Sequence, residues 1–323
     1  MKVKIFTEGD SEKGFGHIVR CYALYSEFKT RNIPVELIIE GNDDTAELIN
    51  KNDYKLINWT NNLKYVKKTL SETQCAIFDS YNINKEFCNE IINSVKVPVF
   101  IDFIKRIEYE GGLIVDASLD PLKYTPYNVK ILKGYKYAIL RKDFLTNNSK
   151  KIISNNLTQI LLTFGGSDPR NLTDKILNII PSKEFEIDVI IGPGYNKSQN
   201  LKINKNIRIH TSPCAKDIVN LVLKADLAIT SGGQTLFEIA KLGLPAIVIK
   251  AAENQNNNIA FFCSKGLHYA GSWNQEKLKE NILEALNKFS SKEERIKSSI
   301  KLTKLIDGKG SSRVIDKILS YEK

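Results

Sequence analysis

Residues 231–249 read Ser-Gly-Gly-Gln-Thr-Leu-Phe-Glu-Ile-Ala-Lys-Leu-Gly-Leu-Pro-Ala-Ile-Val-Ile, and this stretch decides the fold. An apolar run, Leu227 to Thr230, comes just before it and predicts a short strand. Two glycines turn the chain, and Gln234 to Leu242 then predicts a helix. Gly243 ends that helix, and Pro245 opens a second apolar run, Ala246 to Ile249. Short apolar strands joined through a helix belong to a parallel sheet covered on both faces.

The same grammar extends in both directions. Towards the C-terminus, helices are expected over Gln255–Lys265, Asn274–Lys288, Lys292–Leu305 and Ser311–Tyr321. Towards the N-terminus, strands are expected at Gln159–Phe164, Ile187–Ile191 and Ile207–His210, with a helix over Ala215–Lys224. A polar stretch from Thr146 to Thr158, rich in Asn, Ser and Lys, reads as an interdomain linker. Before it, strands at Val3–Thr7, Val35–Ile39, Cys75–Phe78, Val97–Ile101, Leu113–Val115 and Tyr137–Leu140 are expected. The helices between them are Ile18–Thr30, Leu63–Leu70 and Asn84–Asn93. The expectation is an α/β chain of two Rossmann-like, doubly wound parallel-sheet domains, 1–150 and 151–323, with ligands at the C-terminal ends of strands in a cleft between the domains.

Three glycine-rich turns follow predicted strands. Gly14-Phe15-Gly16-His17 allows close approach of the backbone to a ligand and puts an imidazole at a helix start, where it could act as a general base. In Gly165-Gly166-Ser167-Asp168-Pro169, Ser167 or Asp168 is expected to cap a helix begun by Pro169. Ser231-Gly232-Gly233-Gln234-Thr235 offers amides to a diphosphate, and Glu238, one turn on, could accept hydrogen bonds from a ribose diol. Asp79 and Asp102 end buried strands, where loop hydrogen bonding and a ligand-facing role are both open.

Composition narrows the classes. The 323 residues are 42% hydrophobic and 26% charged, values of a globular chain with room for two cores. Five scattered cysteines form neither CxxC pairs nor zinc spacings, which suits buried thiols in a reducing cytoplasm. No signal-like segment and no apolar run of spanning length occurs, so an integral membrane protein is not expected. The formal charge of +10 comes from dispersed lysines without interleaved aromatics, so no nucleic-acid partner is expected. HExxH, EF-hand and Walker A patterns are missing, so neither a metal nor a cofactor is expected.

The segments SGGQTLFEIAKLGLPAIVI and Gln255 resemble the nucleotide-binding half of GT-B glycosyltransferases of the MurG type. GFGHIVRCYAL, FDSYNI, YAILRKDF and FGGSDPRNLT resemble a narrower group. That group is the UDP-2,4-diacetamido-2,4,6-trideoxy-β-L-altropyranose hydrolases of pseudaminic acid synthesis and the related SpsG-like proteins. The resemblance runs in order from Lys2 to about Leu267. It implies a GT-B fold and hydrolysis of a UDP-sugar with inversion, in the cytoplasm, for cell-surface glycans such as those on flagellin, by a monomer or weak dimer. By the same resemblance His17 would activate water, and Asp79 and Tyr81 would place the sugar or that water. Gly166, Ser167, Ser231, Gly232, Gly233, Gln234, Thr235 and Glu238 would hold the nucleotide. Gly14, Gly16, Arg141 and Gln255 would contact the substrate. The chain departs from the family pattern at Asp102-Phe103, where an Asp pair is usual, and at Asp116–Asp120 (DASLD), where an Asn-rich segment is usual. The readings to weigh against hydrolysis are a GT-B glycosyltransferase using a UDP-sugar donor and a nucleotide-sugar binding protein without catalysis.

Overall fold

The computed structural model describes residues 1–104, 106–117, 129–146, 151–195, 201 and 203–321. The chain forms two compact units: residues 1–142 with 308–323, and residues 143–307. The expected division at 150/151 differs from this one in two respects: the boundary falls at 142/143, and the C-terminal helix belongs to the first unit. The cause of the second is burial, because Val314, Ile315 and Ile318 of that helix are enclosed in the first unit's core.

In the first unit the strands are β1 (Val3–Gly9), β2 (Val35–Gly41), β3 (Tyr54–Leu56), β4 (Cys75–Asp79), β5 (Val97–Ile101), β6 (Gly112–Asp116) and β7 (Val129–Lys133). They lie in the order 3-2-1-4-5-6-7, all parallel. Helices α1 (Gly16–Thr30), α2 (Leu63–Leu70) and α3 (Lys85–Ser94) cover the sheet together with the C-terminal helix. Strand side chains alternate between two layers. Val3, Ile5, Ile77 and Val99 pack with α1 and the C-terminal helix, whereas Phe6, Phe78 and Phe100 pack with α2 and α3. Those three phenylalanines stand in register across β1, β4 and β5. Their rings stack at 4.8 and 5.9 Å.

The second unit holds α4 (Asp143–Thr146), β8 (Gln159–Thr163), α5 (Leu172–Leu177), β9 (Glu186–Ile191), β10 (Ile207–Thr211), α6 (Ala215–Lys224), β11 (Leu227–Ser231), α7 (Gln234–Lys241), β12 (Ala246–Lys250), α8 (Asn256–Ser264), β13 (His268–Ser272), α9 (Leu278–Ser290) and α10 (Lys292–Leu305). The C-terminal helix is α11 (Gly310–Leu319). The second sheet runs 10-9-8-11-12-13, again all parallel. Counted within the unit this is 3-2-1-4-5-6, matching the first sheet's leading six strands. Such an order reverses once, between β1 and β4 in one unit and between β8 and β11 in the other. Ligands of doubly wound sheets bind at that reversal, beyond the strands' carboxyl ends.

Two expectations change. Tyr137–Leu140 is not a strand: residues 135–137 form a 3-10 turn, and Ile139 and Leu140 are buried outside the strands of the sheet. Part of the expected linker, 147–150, lies outside the described residues, but 151–158 is anchored to the second unit. Lys151 Nζ donates to the carbonyls of Leu223 and Ala225 at the end of α6. Asp226 accepts from Thr158 N and Gln159 N at 2.9 Å each. The enclosed Arg295 donates to the carbonyls of Ser154 and Asn155.

Candidate functional site

In the first unit the strand-order reversal collects charged side chains. Thr7 of β1 pairs with Asp79 of β4, so β1 runs two residues further, to Gly9. The chain then turns tightly: Asp10 Oδ1 accepts from Glu12 N and Lys13 N at 2.9 and 2.7 Å, and Gly14 N donates to Asp10 O at 2.8 Å. Gly14 closes the turn at φ +81°, a left-handed conformation that costs glycine least. Helix α1 begins at Gly16, with no side chain capping its first turn, and His17 is its second residue.

His17 is 5% exposed, and its Nδ1 lies 2.6 Å from Asp79 Oδ1. Arg20, one helical turn on, grips the same carboxylate with two bonds, Nε to Oδ2 at 2.5 Å and Nη2 to Oδ1 at 2.7 Å. Asp79 is fully enclosed, and burial alone would push its carboxyl up. The Arg20 guanidinium and the His17 ring override that and hold it well below the usual carboxylate range. An ionised carboxylate only accepts hydrogen bonds, so the proton in the 2.6 Å contact belongs to His17 Nδ1. Arg20 Nη2 also sits 2.7 Å from Nδ1, so the guanidinium touches both the ring and the carboxylate that the two groups share. With the proton on Nδ1, a neutral ring would carry its lone pair on Nε2, which no hydrogen bond among the described residues engages. A base oriented by a carboxylate is the arrangement that takes a proton from water or a hydroxyl. Cys21 Sγ lies 3.6 Å from the same carboxylate; burial, with Asp79 beside it, pushes that thiol well up and leaves it protonated.

Tyr81 meets His17 edge-on, with ring centroids 4.4 Å apart at 90°. It stays 42% exposed although its loop is tightly held. Buried Glu8 accepts from Ser80 Oγ, Tyr81 N and Asn82 Nδ2 at 2.7, 2.6 and 2.5 Å, and pairs with Lys13 at 3.2 Å. Arg106 donates to the Ser80 and Tyr81 carbonyls and lays its guanidinium 5.0 Å from the Tyr81 ring. An aromatic face so fixed beside a base can seat an apolar ring face. Asp102 takes the loop role: it accepts from Ile104 N, Arg106 N and Tyr109 OH, and it is buried. Residues 118–120 of the DASLD segment lie outside the described residues, and Asp116 is buried at the end of β6. Arg141 is half-buried just after Leu140.

In the second unit the reversal collects backbone. β8 ends at Thr163, opposite Thr230, and β11 runs one residue further, to Ser231. Gly233 precedes α7 with no side-chain cap, so the first turn of this eight-residue helix presents amides to an anion. Gly232 is packed: a Cβ there would come 2.6 Å from Ile259 Cγ1. Gln255 Oε1 accepts from Gly232 N at 3.3 Å and Ala251 N at 2.9 Å, and Asn258 Nδ2 donates to Gly232 O at 3.0 Å. Gln255 therefore shapes the glycine loop, and the Gly232 amide is engaged by it. Ser231 and Glu238 are buried, whereas Gln234 and Thr235 are half-buried at the helix start.

The other glycine turn carries a correction. Pro169 does not start a helix; α5 begins at Leu172. Asp168 does cap it, accepting from Leu172 N at 2.9 Å and Thr173 N at 2.7 Å. Asp168 itself sits at φ +47° and Gly165 at φ +86°, so the loop coils before the helix instead of running straight into it. Gly166 is pressed against Gly192, and Ser167 is buried beside it.

Sequence reading missed Arg20, Glu8 and Arg106. The signal for Arg20 was its place three residues after His17, which puts both on one helical face. Glu8 and Arg106 had no local signal.

Residues 160–309 match the family described as Glycosyltransferase family 28 C-terminal domain. Over 285 residues the chain is 32% identical to an uncharacterized protein of Methanocaldococcus jannaschii, covering 79% of this chain but only 57% of that relative's length. It is 26% identical to the UDP-2,4-diacetamido-2,4,6-trideoxy-β-L-altropyranose hydrolase of Campylobacter jejuni, over 82% of this chain and 97% of that one. Among solved structures, MurG of Acinetobacter baumannii matches with a TM-score of 0.64 at 12% identity, covering 99% of this chain and all of that one. The fold is GT-B, and the chain is similar to the trideoxysugar hydrolases over most of its length.

Proposed function

We propose that the chain is a UDP-sugar hydrolase acting on a trideoxyhexose donor in the synthesis of cell-surface nonulosonic sugars such as pseudaminic acid. The observation that carries the reading is the His17–Asp79 contact at 2.6 Å, in which Nδ1 is bound and Nε2 is available. In this reaction the oxygen of water bonds to the anomeric carbon and its proton passes to His17 Nε2. The bond from that carbon to the β-phosphate oxygen breaks, and UDP leaves with the electron pair. Attack opposite the leaving group inverts the centre. Asp79 orients the imidazole without touching substrate, and the exposed Tyr81 face, with the open side of Gly14 and with Gly16, borders the sugar. The uncapped α7 amides after Gly233 stabilise the leaving diphosphate. Glu238 serves the ribose, Gly166 and Ser167 border the nucleotide, Gln255 keeps the glycine loop in shape, and Arg141 serves the substrate from the end of the first unit. Similarity to the Campylobacter hydrolase supports the substrate class. No helix among the described residues is long and apolar enough to cross a membrane.

The match to a glycosyltransferase C-terminal domain favours one rival, transfer of the sugar to an acceptor hydroxyl. Turnover of the UDP-trideoxysugar in ¹⁸O water separates the two. Hydrolysis yields UDP without acceptor and puts ¹⁸O on the sugar. Release of UDP only when an acceptor is added, or ¹⁸O found in UDP, would end the hydrolase reading.

A further inference from the structure

The reading above leaves Arg20 without a part, yet Arg20 is nearly enclosed and spends two hydrogen bonds on the carboxylate behind the base. A histidine facing an isolated buried carboxylate is drawn to its protonated form, since the imidazolium completes an ion pair. A base held that way is already occupied near neutral pH. Here the carboxylate is matched before the imidazole meets it. The Nε and Nη2 bonds at 2.5 and 2.7 Å bind both carboxylate oxygens. The Arg20 guanidinium also lies 4.9 Å from the Phe103 ring, which fixes its plane. Arginine retains its charge at any relevant pH, so the match is permanent.

The other groups around the ring do not upset this balance. Tyr81 meets the ring edge-on at 4.4 Å, and Cys21 presents a protonated thiol. Glu8, on β1, is paired with Lys13 at 3.2 Å. Asp102, at the end of β5, accepts from Tyr109 and two loop amides, and Arg106 lies over Tyr81. The imidazole therefore faces a matched pair of opposite charges and no net negative charge.

We propose that Arg20 is a positioning residue whose guanidinium, locked on Asp79, keeps the His17 imidazole neutral and its Nε2 free to accept a proton. This deepens the hydrolase reading and rests on it for the reaction, though not for the state of the ring. The test is ¹⁵N-histidine NMR of the full chain across pH, with the His17 signal assigned through His17→Asn. The wild-type ring is expected as the neutral Nδ1–H tautomer at pH 7.5. In Arg20→Gln its midpoint rises by about one to two pH units, and Arg20→Lys returns most of that shift. The acid limb of kcat/KM moves by the same interval, whereas a residue that served packing alone would lower the plateau and leave the limb in place. An imidazolium in the wild type at pH 7.5, or an unmoved midpoint in Arg20→Gln, overturns the proposal. If Arg20→Gln does not fold, the wild-type tautomer still decides. If the ring behaves as expected but no UDP is released, the hydrolase reading fails and Arg20's control of the ring stands.

Discussion

Replacing Asp79 by Asn keeps the side chain's shape and removes its charge. Arg20 would then be an unmatched guanidinium at 8% exposure, its two short bonds to the carboxylate gone. Removing one partner of a buried ion pair costs about 3–5 kcal/mol, because the remaining charge cannot regain its hydration. The loss should fall on the unit that contains both residues. The chain offers a reporter for that unit. It has two tryptophans, Trp59 enclosed in the first unit and Trp273 in the second. In a Trp273→Phe background, urea unfolding followed by fluorescence reads the first unit alone. With a slope of about 2 kcal/mol per molar urea, the midpoint should fall by roughly 1.5–2.5 M. The pH dependence supplies a second reading. Asp79 is held below its unfolded value of about 3.9, so its contribution is complete above that value and fades as pH falls beneath it. Asp79→Asn should therefore be weakest relative to wild type at pH 6–7, and the gap should narrow in acid. A midpoint shift under about 0.5 M, with a gap that does not narrow, would refute the matched buried pair from which the imidazole argument starts.

Other predictions test separate links. Gly310→Ala puts a Cβ onto the Ala138 carbonyl beneath α11, so the Trp59 transition should lose about 3 kcal/mol, and an unchanged transition would deny that α11 is seated there. Gln255→Glu keeps an acceptor for Gly232 N and Ala251 N but adds a negative charge at the loop proposed to hold diphosphate; calorimetry should show UDP binding weakened by about tenfold or more, and equal affinity would remove that loop from the nucleotide site. In the second unit, burial would push the Asp188 carboxyl up, but bonds from Arg208, His210 and Lys224 hold it at about 2. Its stabilisation should be complete above about pH 4 and fade as pH falls towards 2; Asp188→Asn should lose stability at pH 7 and show less acid sensitivity, read from Trp273 in a Trp59→Phe background.

Which parts of the fold were legible follows from where each strand sits. Central strands are buried on both faces, so they stand out as apolar runs; β5 at Val97–Ile101 and α10 at Lys292–Leu305 have the bounds expected of them. The three strands that escaped notice, β3, β7 and β13, all lie at sheet edges. Their residues Tyr-Lys-Leu, Val-Lys-Ile-Leu-Lys and His-Tyr-Ala-Gly-Ser mix polar with apolar because one side meets water. Tyr137–Leu140 misled in the opposite direction: the run is apolar because it is buried, with Ala138 beneath Gly310 of α11, and not because it pairs in a sheet. At the site, glycine turns and a histidine at a helix start are local features that sequence displays. The Arg20–Asp79 pairing joins residues 59 apart, and Glu8 reaches the 80–82 loop across 72 or more positions, so only the folded sheet brings them together.

One strand order has been furnished in two ways, and strand length accounts for much of the difference. In the first unit β1 outruns its pairing with β4 by two residues, and that overhang places Glu8 where it accepts the backbone and side chains of the 80–82 loop. The loop is fixed, Tyr81 is held against the imidazole, and Asp79 is left at the bottom of a closed charge cluster. In the second unit β8 does not outrun its partner but stops at Thr163, one residue short of the end of β11 at Ser231, and glycines bring the chain close over the strand ends. A proton-accepting side chain requires the first arrangement, since its partners must be buried and fixed in advance. A diphosphate requires the second, since amides at a helix start reach it without a charged side chain to desolvate. Lengthening β8 by two residues should therefore disturb UDP binding more than it disturbs the second unit's stability, and an insertion that left UDP affinity intact would show that loop height over the sheet is not what sets the second site.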